Sequence, residues 1–345
     1  MSRNRLQLAA LLFLVAGSAG RMTAAPRSVG STTLWPGSKF TVADRDSAVE
    51  RGLRFIYSIA KDPTAFRQYG SDLLFAFVNI SSSNGNNRVA QLAREMGHER
   101  AVEWRRQHRT VPRRVNPGTI AELIYGSYSA NRLGATDRVF DRELQSQAKQ
   151  VSPRDYLGFD PSREPPPANY PGYSRYALFM DAMISTYFGE QFGSALEGRY
   201  YDVLRWLPQM RPYPAHRYGD WDYYDAVYAI THVIYTFNHY NLYKVSPACF
   251  PEEFDYLRSN LGAAIADHDP ETLGEYVDSL RAFGMDYSDV RLREATDYLL
   301  SAQNQDGSWG DPADTDAYSR YHTTWTGQGA LQEFRWTKTL PCPGP

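Results

Sequence analysis

The stretch Asp225–Tyr243, DAVYAITHVIYTFNHYNLY, runs eighteen residues beyond its first aspartate without Asp, Glu, Lys or Arg. At 100° per residue, Ile230, Val233, Ile234 and Phe237 fall on one side of a helix. Asp225, Tyr228, His232, Tyr235, Thr236 and His239 fall on the other. A solvated second face would carry Lys, Glu or Arg, the residues most often exposed. A membrane span is disfavoured because each unpaired polar group in hydrocarbon costs several kcal/mol. The pattern therefore predicts a helix packed on one side and facing an enclosed polar, aromatic space on the other, as the inner helices of an α/α barrel do. His232 and His239 keep two readings: core histidines with locally satisfied ring nitrogens, or groups presented to that space.

Outward from this helix, apolar residues recur mostly at spacings of three and four, and runs rich in alternating Val, Ile and Thr are scarce. Helices are expected over 47–60, 71–80, 89–108, 118–133, 174–190, 222–243, 251–266, 271–284, 289–303 and 321–335, with no sheet. Residues 151–173 are rich in proline, which removes a donor and fixes φ, so this passage is expected to be a loop across the fold. Neither side of it looks self-sufficient in apolar faces. The expectation is one all-α domain over 26–345, an α/α toroid of helical hairpins around a central cavity.

The chain has 345 residues, 42% hydrophobic and 22% charged, enough for a sizeable core. Its formal net charge is -2 with dispersed basic residues, which argues against a nucleic-acid partner. Residues 1–25 place two arginines before an apolar run and then small residues, the order of a secretory signal peptide, so the protein is expected to be secreted with no membrane span after signal removal. In an oxidising compartment Cys249 and Cys342 are the only available pair, and a structural disulfide is expected. Asn79 begins an N-glycosylation sequon, NIS.

A second constellation lies at Gln303–Leu331, QNQDGSWGDPADTDAYSRYHTTWTGQGAL. A helix ends at a glycine turn carrying Trp309, an acidic loop offers Asp311, Asp314 and Asp316, and a new helix is expected near Tyr321. His322 then sits in a first helical turn, where the helix dipole should keep its imidazole neutral. QNQDGSWG resembles the QW-type turn of the α/α toroids, the squalene and terpene cyclases and the protein prenyltransferase β subunits. DAYSRYHTTWTGQGAL resembles their following inner helix. The resemblance covers roughly the last sixty residues and implies the toroid fold. It also matches His322 to a zinc-binding histidine within a YHT sequence. The activities do not carry over: no Asp stands at 247 before Cys249, and DTDA (314–317) holds only two aspartates of a DxDD acid.

Several chemistries remain open. His232, His322 and a carboxylate such as Asp225 or Asp316 would suit a divalent metal such as zinc. Without a metal, His232 and His322, with Tyr228, Tyr321 and Asp316 as neighbours, could carry lyase- or epimerase-type proton transfer on a glycan. Tyr235, His239, Trp309, Trp325 and Arg320 would then contact the substrate. An anionic sugar would require inward arginines, for which Arg175, Arg217 and Arg320 are the candidates. The alternatives are a terpene-cyclase-like enzyme protonating an apolar substrate from Asp314 or Asp316, and a secreted binding or structural protein without turnover.

Overall fold

The computed structural model describes residues 32–113, 116–194 and 198–343. The segment expected to be a signal peptide lies outside them. The described residues are mostly helical, with almost no strand. In chain order the helices are α1 (Val42–Lys61), α2 (Pro63–Ser83), α3 (Asn87–Gln107), α4 (Pro117–Arg132), α5 (Arg138–Ala148), α6 (Pro153–Leu157) and α7 (Arg175–Phe192). They continue as α8 (Tyr200–Leu204), α9 (Leu207–Met210), α10 (Trp221–Phe237), α11 (Pro251–Asp267), α12 (Pro270–Ala282), α13 (Val290–Ala302) and α14 (Ala317–Leu331). No described helix is long and apolar enough to cross a membrane.

Most of the helices start on a capping side chain, among them six that pack in succession. α2, α4, α7, α10, α12 and α14 begin at Asp62, Asn116, Ser174, Asp220, Asp269 and Asp316, each of whose side chains accepts from a backbone N–H of the first turn. Such caps are worth about 1 kcal/mol each. Pro63, Pro117 and Pro270 fill the first helical turn where no N–H is needed. These six helices touch in sequence: α2 packs on α4, α4 on α7, α7 on α10, α10 on α12, α12 on α14, and α14 on α2. α1, α3, α5, α11 and α13 lie against them, as α1 does on α2 and α14 and α11 on α12.

Glycine sets the closest approach. A Cβ on Gly274 of α12 would stand 2.8 Å from the Thr326 carbonyl and 3.1 Å from the Gly327 nitrogen of α14. A Cβ on Gly327 would meet the Trp309 ring at 2.9 Å. The two helices therefore pack nearly backbone to backbone.

The expected helix 222–243 ends six residues early, at Phe237. Asn238 takes the chain out: its side chain accepts from the Asn241 backbone N–H at 2.8 Å and donates to the Asn241 carboxamide at 3.1 Å. Such local bonds compete with helix propagation. His239, Tyr240 and Asn241 follow with φ of 55°, 53° and 69°, three consecutive left-handed residues. The run folds Tyr240 back onto Phe188, with stacked rings 5.6 Å apart.

The proline-rich passage is mostly irregular but contains α6, whose Pro153 occupies the first turn and whose Ser152 and Asp155 form a capping box. The short helices α5, α8 and α9 were also not anticipated. The expectation of no sheet is replaced by one two-residue parallel pairing, β1 (Lys244–Val245) with β2 (Thr339–Leu340). Beside it Cys249 and Cys342 form the expected disulfide, with an S–S separation of 2.16 Å. Together they tie the C-terminal segment to the connection between α10 and α11.

Asn79 sits within α2 at 5% exposure. Its amide donates to the Tyr240 carbonyl at 3.0 Å and accepts from the Trp325 indole at 3.2 Å. The nitrogen a glycan would occupy is thus engaged inside the fold, which runs against the glycosylation reading.

Candidate active site

Residues of the six helices that touch in sequence line a cavity of about 660 Å³. Its lining includes Tyr69 and Asp72 from α2, Glu122 and Tyr125 from α4, Asp181 and Phe188 from α7, Tyr228 and His232 from α10, Glu271 and Glu275 from α12, and Tyr318, Tyr321, His322 and Trp325 from α14. On α2, α4, α12 and α14 these residues lie in the N-terminal half or, for Tyr125 and Trp325, just past the middle, so the cavity lies towards the capped helix starts. Five carboxyl groups and two histidines face the space, and no lysine or arginine does among the described residues.

Glu271 organises one side. Its Oε1 is 3.0 Å from His322 Nδ1 and accepts from the Tyr228 hydroxyl at 3.4 Å. Its Oε2 accepts from Thr323 at 2.7 Å. Burial opposes a charge on His322, yet the carboxylate of Glu271, with Asp72 and Glu275 behind it, lifts this imidazole to about 9. Burial likewise opposes charge on Glu271, and His322 nevertheless holds it below the usual carboxylate range. The pair is an imidazolium and a carboxylate at neutral pH. The Tyr318 ring stacks on the imidazolium, 5.0 Å between centroids.

The expectation of a neutral His322 fails for a geometric reason. α14 starts at Ala317 rather than near Tyr321, so His322 lies beyond the first turn, and its neighbour is a carboxylate from α12. His232 is the neutral histidine. Burial, reinforced by the charge on His322, pushes it down to about 4. Its Nδ1 donates to the Tyr228 carbonyl at 2.8 Å, which leaves the lone pair on Nε2.

Glu275 has the opposite character to Glu271. It is 1% exposed, accepts from the Thr231 hydroxyl, and lies 4.0 Å from His232 Nδ1. Burial raises it to about 8, so it holds its proton at neutral pH. Across the cavity Asp72 accepts from Tyr125 at 2.9 Å and from Tyr321 at 2.7 Å, which fixes the orientation of its carboxyl. Asp181 accepts from no donor among the described residues, and burial with Asp225 nearby pushes it up to about 7. Below Glu275 a smaller chamber of about 50 Å³ is bounded by Tyr235, Asn241 and Asp278.

Of the residues expected at the site, His232, His322, Tyr228, Tyr321 and Trp325 line the cavity. Tyr235 borders only the smaller chamber. The others lie elsewhere. Asp316 is an exposed cap bonded to Ser319. Trp309 is fully buried, its indole donating to the Leu299 carbonyl at 2.7 Å. Arg320 pairs with Asp306 at 2.7 Å, and His239 meets Tyr187 at 3.4 Å. Asp225 accepts from Ser174 at 2.6 Å. No group of three or more His, Cys, Asp or Glu among the described residues is placed to hold a metal, so His232, His322 and Asp225 do not form the expected ligand set.

The carboxyl groups Asp72, Glu122, Asp181, Glu271 and Glu275 went unanticipated. A signal existed on α12, where Glu271, Glu275 and Asp278 recur at spacings of four and three and so share one helix face. In α2, Asp72 is the only charged residue between Arg67 and Ser83. No protein-family model, curated protein or solved structure matches this chain.

Proposed function

We propose that the protein is a glycan-cleaving enzyme built as an α/α toroid. α2, α4, α7, α10, α12 and α14 form the inner ring around a central cavity, and the remaining long helices form the outer layer. The closed succession of contacts among those six helices supports this arrangement. The observation that carries the activity is a pair of carboxyl groups from different helices lining the same cavity: Glu275 of α12, which burial holds protonated up to about 8, and Asp72 of α2, whose carboxyl is oriented by the Tyr125 and Tyr321 hydroxyls. A carboxylic acid kept protonated at neutral pH opposite a second carboxyl group is the arrangement that glycosidic acid and base roles need.

In the reaction we assign, Glu275 gives its proton to the glycosidic oxygen as the bond to the anomeric carbon breaks. Asp72 takes a proton from the water that adds to that carbon. The imidazolium of His322 and the hydroxyls of Tyr228 and Tyr321 hold sugar hydroxyls, while Trp325 and Tyr318 offer faces for stacking. Proton abstraction from a uronic acid, as a lyase or epimerase would perform it, fits less well. That chemistry depends on a sugar carboxylate whose charge is neutralised to acidify the adjacent carbon. Arg175, Arg217 and Arg320 do not line the cavity. A cyclisation cavity for an apolar substrate would not be walled by five carboxyl groups.

The test is hydrolysis of uncharged and basic oligosaccharides, read as new reducing ends. Glu275→Gln and Asp72→Asn should each lower the rate about 10²- to 10⁴-fold, the usual size of an acid or base contribution. A panel of soluble oligosaccharides left intact by folded wild-type protein would refute the enzymatic reading and leave binding without turnover.

A further inference from the structure

We infer that the ligand of this cavity is an amino sugar chain whose ammonium group is held by Asp181, with the glycan-cleaving reading above as its premise. The carboxyl groups of the cavity divide into two kinds. Asp72 receives two tyrosine hydroxyls, Glu271 receives His322, Thr323 and Tyr228, and Glu275 receives Thr231. Asp181 and Glu122 receive nothing from the described residues, although both face the same space from neighbouring helices α7 and α4.

Glu122 is exposed and Asp181 partly buried, and for Asp181 withdrawal from water without donors is costly unless something else supplies them. Asp181 has Asp225 rather than a cation beside it, and Glu122 has Asp72, so the protein's own charges worsen the position of each. An ammonium group offers three donors and a positive charge, which is what this wall lacks. Among the described residues, an anionic ligand meets carboxyl groups on α2, α4, α7 and α12 and one cation, His322.

The rest of the wall argues for a sugar rather than an aliphatic amine. Gln68, Asn116, Thr119 and Ser185 place amide and hydroxyl groups around the same space, and Tyr69 and Trp325 present aromatic faces. Those groups suit a ring bearing several hydroxyls and attract a nearby cation as well.

Calorimetric titration separates this inference from its premise. The probes are glucosamine oligomers, N-acetylglucosamine oligomers and glucose oligomers of equal length, with spermidine as the aliphatic amine. Wild-type protein and Asp181→Asn are compared, with thermal melting as the control for folding, and Glu122→Gln serves as a second variant should the first fail to fold. We expect the glucosamine oligomer to bind at least tenfold more tightly than either neutral oligomer, and the advantage to fall to less than threefold in Asp181→Asn or Glu122→Gln. Equal binding of all three oligomers, an advantage that survives the substitutions, or tight binding of spermidine alone would each overturn the inference. If neutral oligomers bind and are cleaved while the glucosamine oligomer is not preferred, the amino sugar fails and the glycan-cleaving reading stands. Should no oligomer bind, both fall.

Discussion

Replacing Glu271 by Gln keeps the side-chain volume but removes the carboxylate that holds His322 charged. The imidazole rises from 6.5 to about 9 on folding, which at about 1.4 kcal/mol per tenfold change in proton affinity corresponds to about 3 kcal/mol of folding free energy. Because the folded value lies above the unfolded one, that stabilisation is complete below about pH 6.5. It diminishes as the pH rises and is gone above about 9. Glu271→Gln should therefore be less stable than wild type by about 3 kcal/mol near pH 6, in the range seen when one member of a buried pair is removed. The two proteins should converge above pH 9. Urea unfolding from pH 5.5 to 9.5 gives the stability difference, and ring-proton NMR titration of His322, assigned by comparison with His322→Gln, gives its proton affinity in each protein. A difference independent of pH, or a His322 that titrates near 6.5 in wild type, would refute the ion-pair account.

The second glutamate of α12 predicts the reverse. Folding raises Glu275 from 4.5 to about 8, so the wild type loses stability between those pH values. Glu275→Gln should remove this loss and be the more stable protein at pH 8, by on the order of a few kcal/mol, a gain read in urea melts that should shrink towards pH 4.5. Gly274→Ala forces a methyl group against the Thr326 carbonyl and should cost about 1–3 kcal/mol while displacing Glu271 from His322, visible as a fall in the His322 proton affinity. Cys249→Ser with Cys342→Ser opens a loop spanning 93 residues and should lower stability by up to about 4 kcal/mol in the chain-entropy model; unchanged melting would show that the β1–β2 pairing holds the tail by itself.

Helix existence was legible because apolar spacing is written locally. The inward face of α10 was found from its lack of charge, and His232 and Tyr228 do line the cavity. The carboxyl groups were harder to see. Asp72 and Asp181 stand alone in apolar stretches and Glu275 shares a face with Glu271 and Asp278, but only the packing of the helices turns these groups towards one space. Asp316 and Trp309 misled for the opposite reason. Both stand in a conspicuous motif, yet one satisfies the first turn of α14 and the other fills the gap left by Gly52 and Gly327. His322 was placed correctly in sequence but given the wrong charge, since the deciding neighbour is 51 positions away.

The capped starts of the six cavity-lining helices bear on how fast a ligand arrives. Bare helix ends carry about half a positive charge each and would draw anions towards the cavity. Here Asp62, Asp220, Asp269 and Asp316 close four of those ends with carboxyl side chains. They offset the pull on anions and leave the acidic interior to set the sign of the approach field. A cationic ligand should then associate faster at low ionic strength, with the gain fading as the Debye length shrinks to about 8–10 Å near physiological salt. Selection by charge would thus begin in the encounter step, before any contact inside the cavity is made.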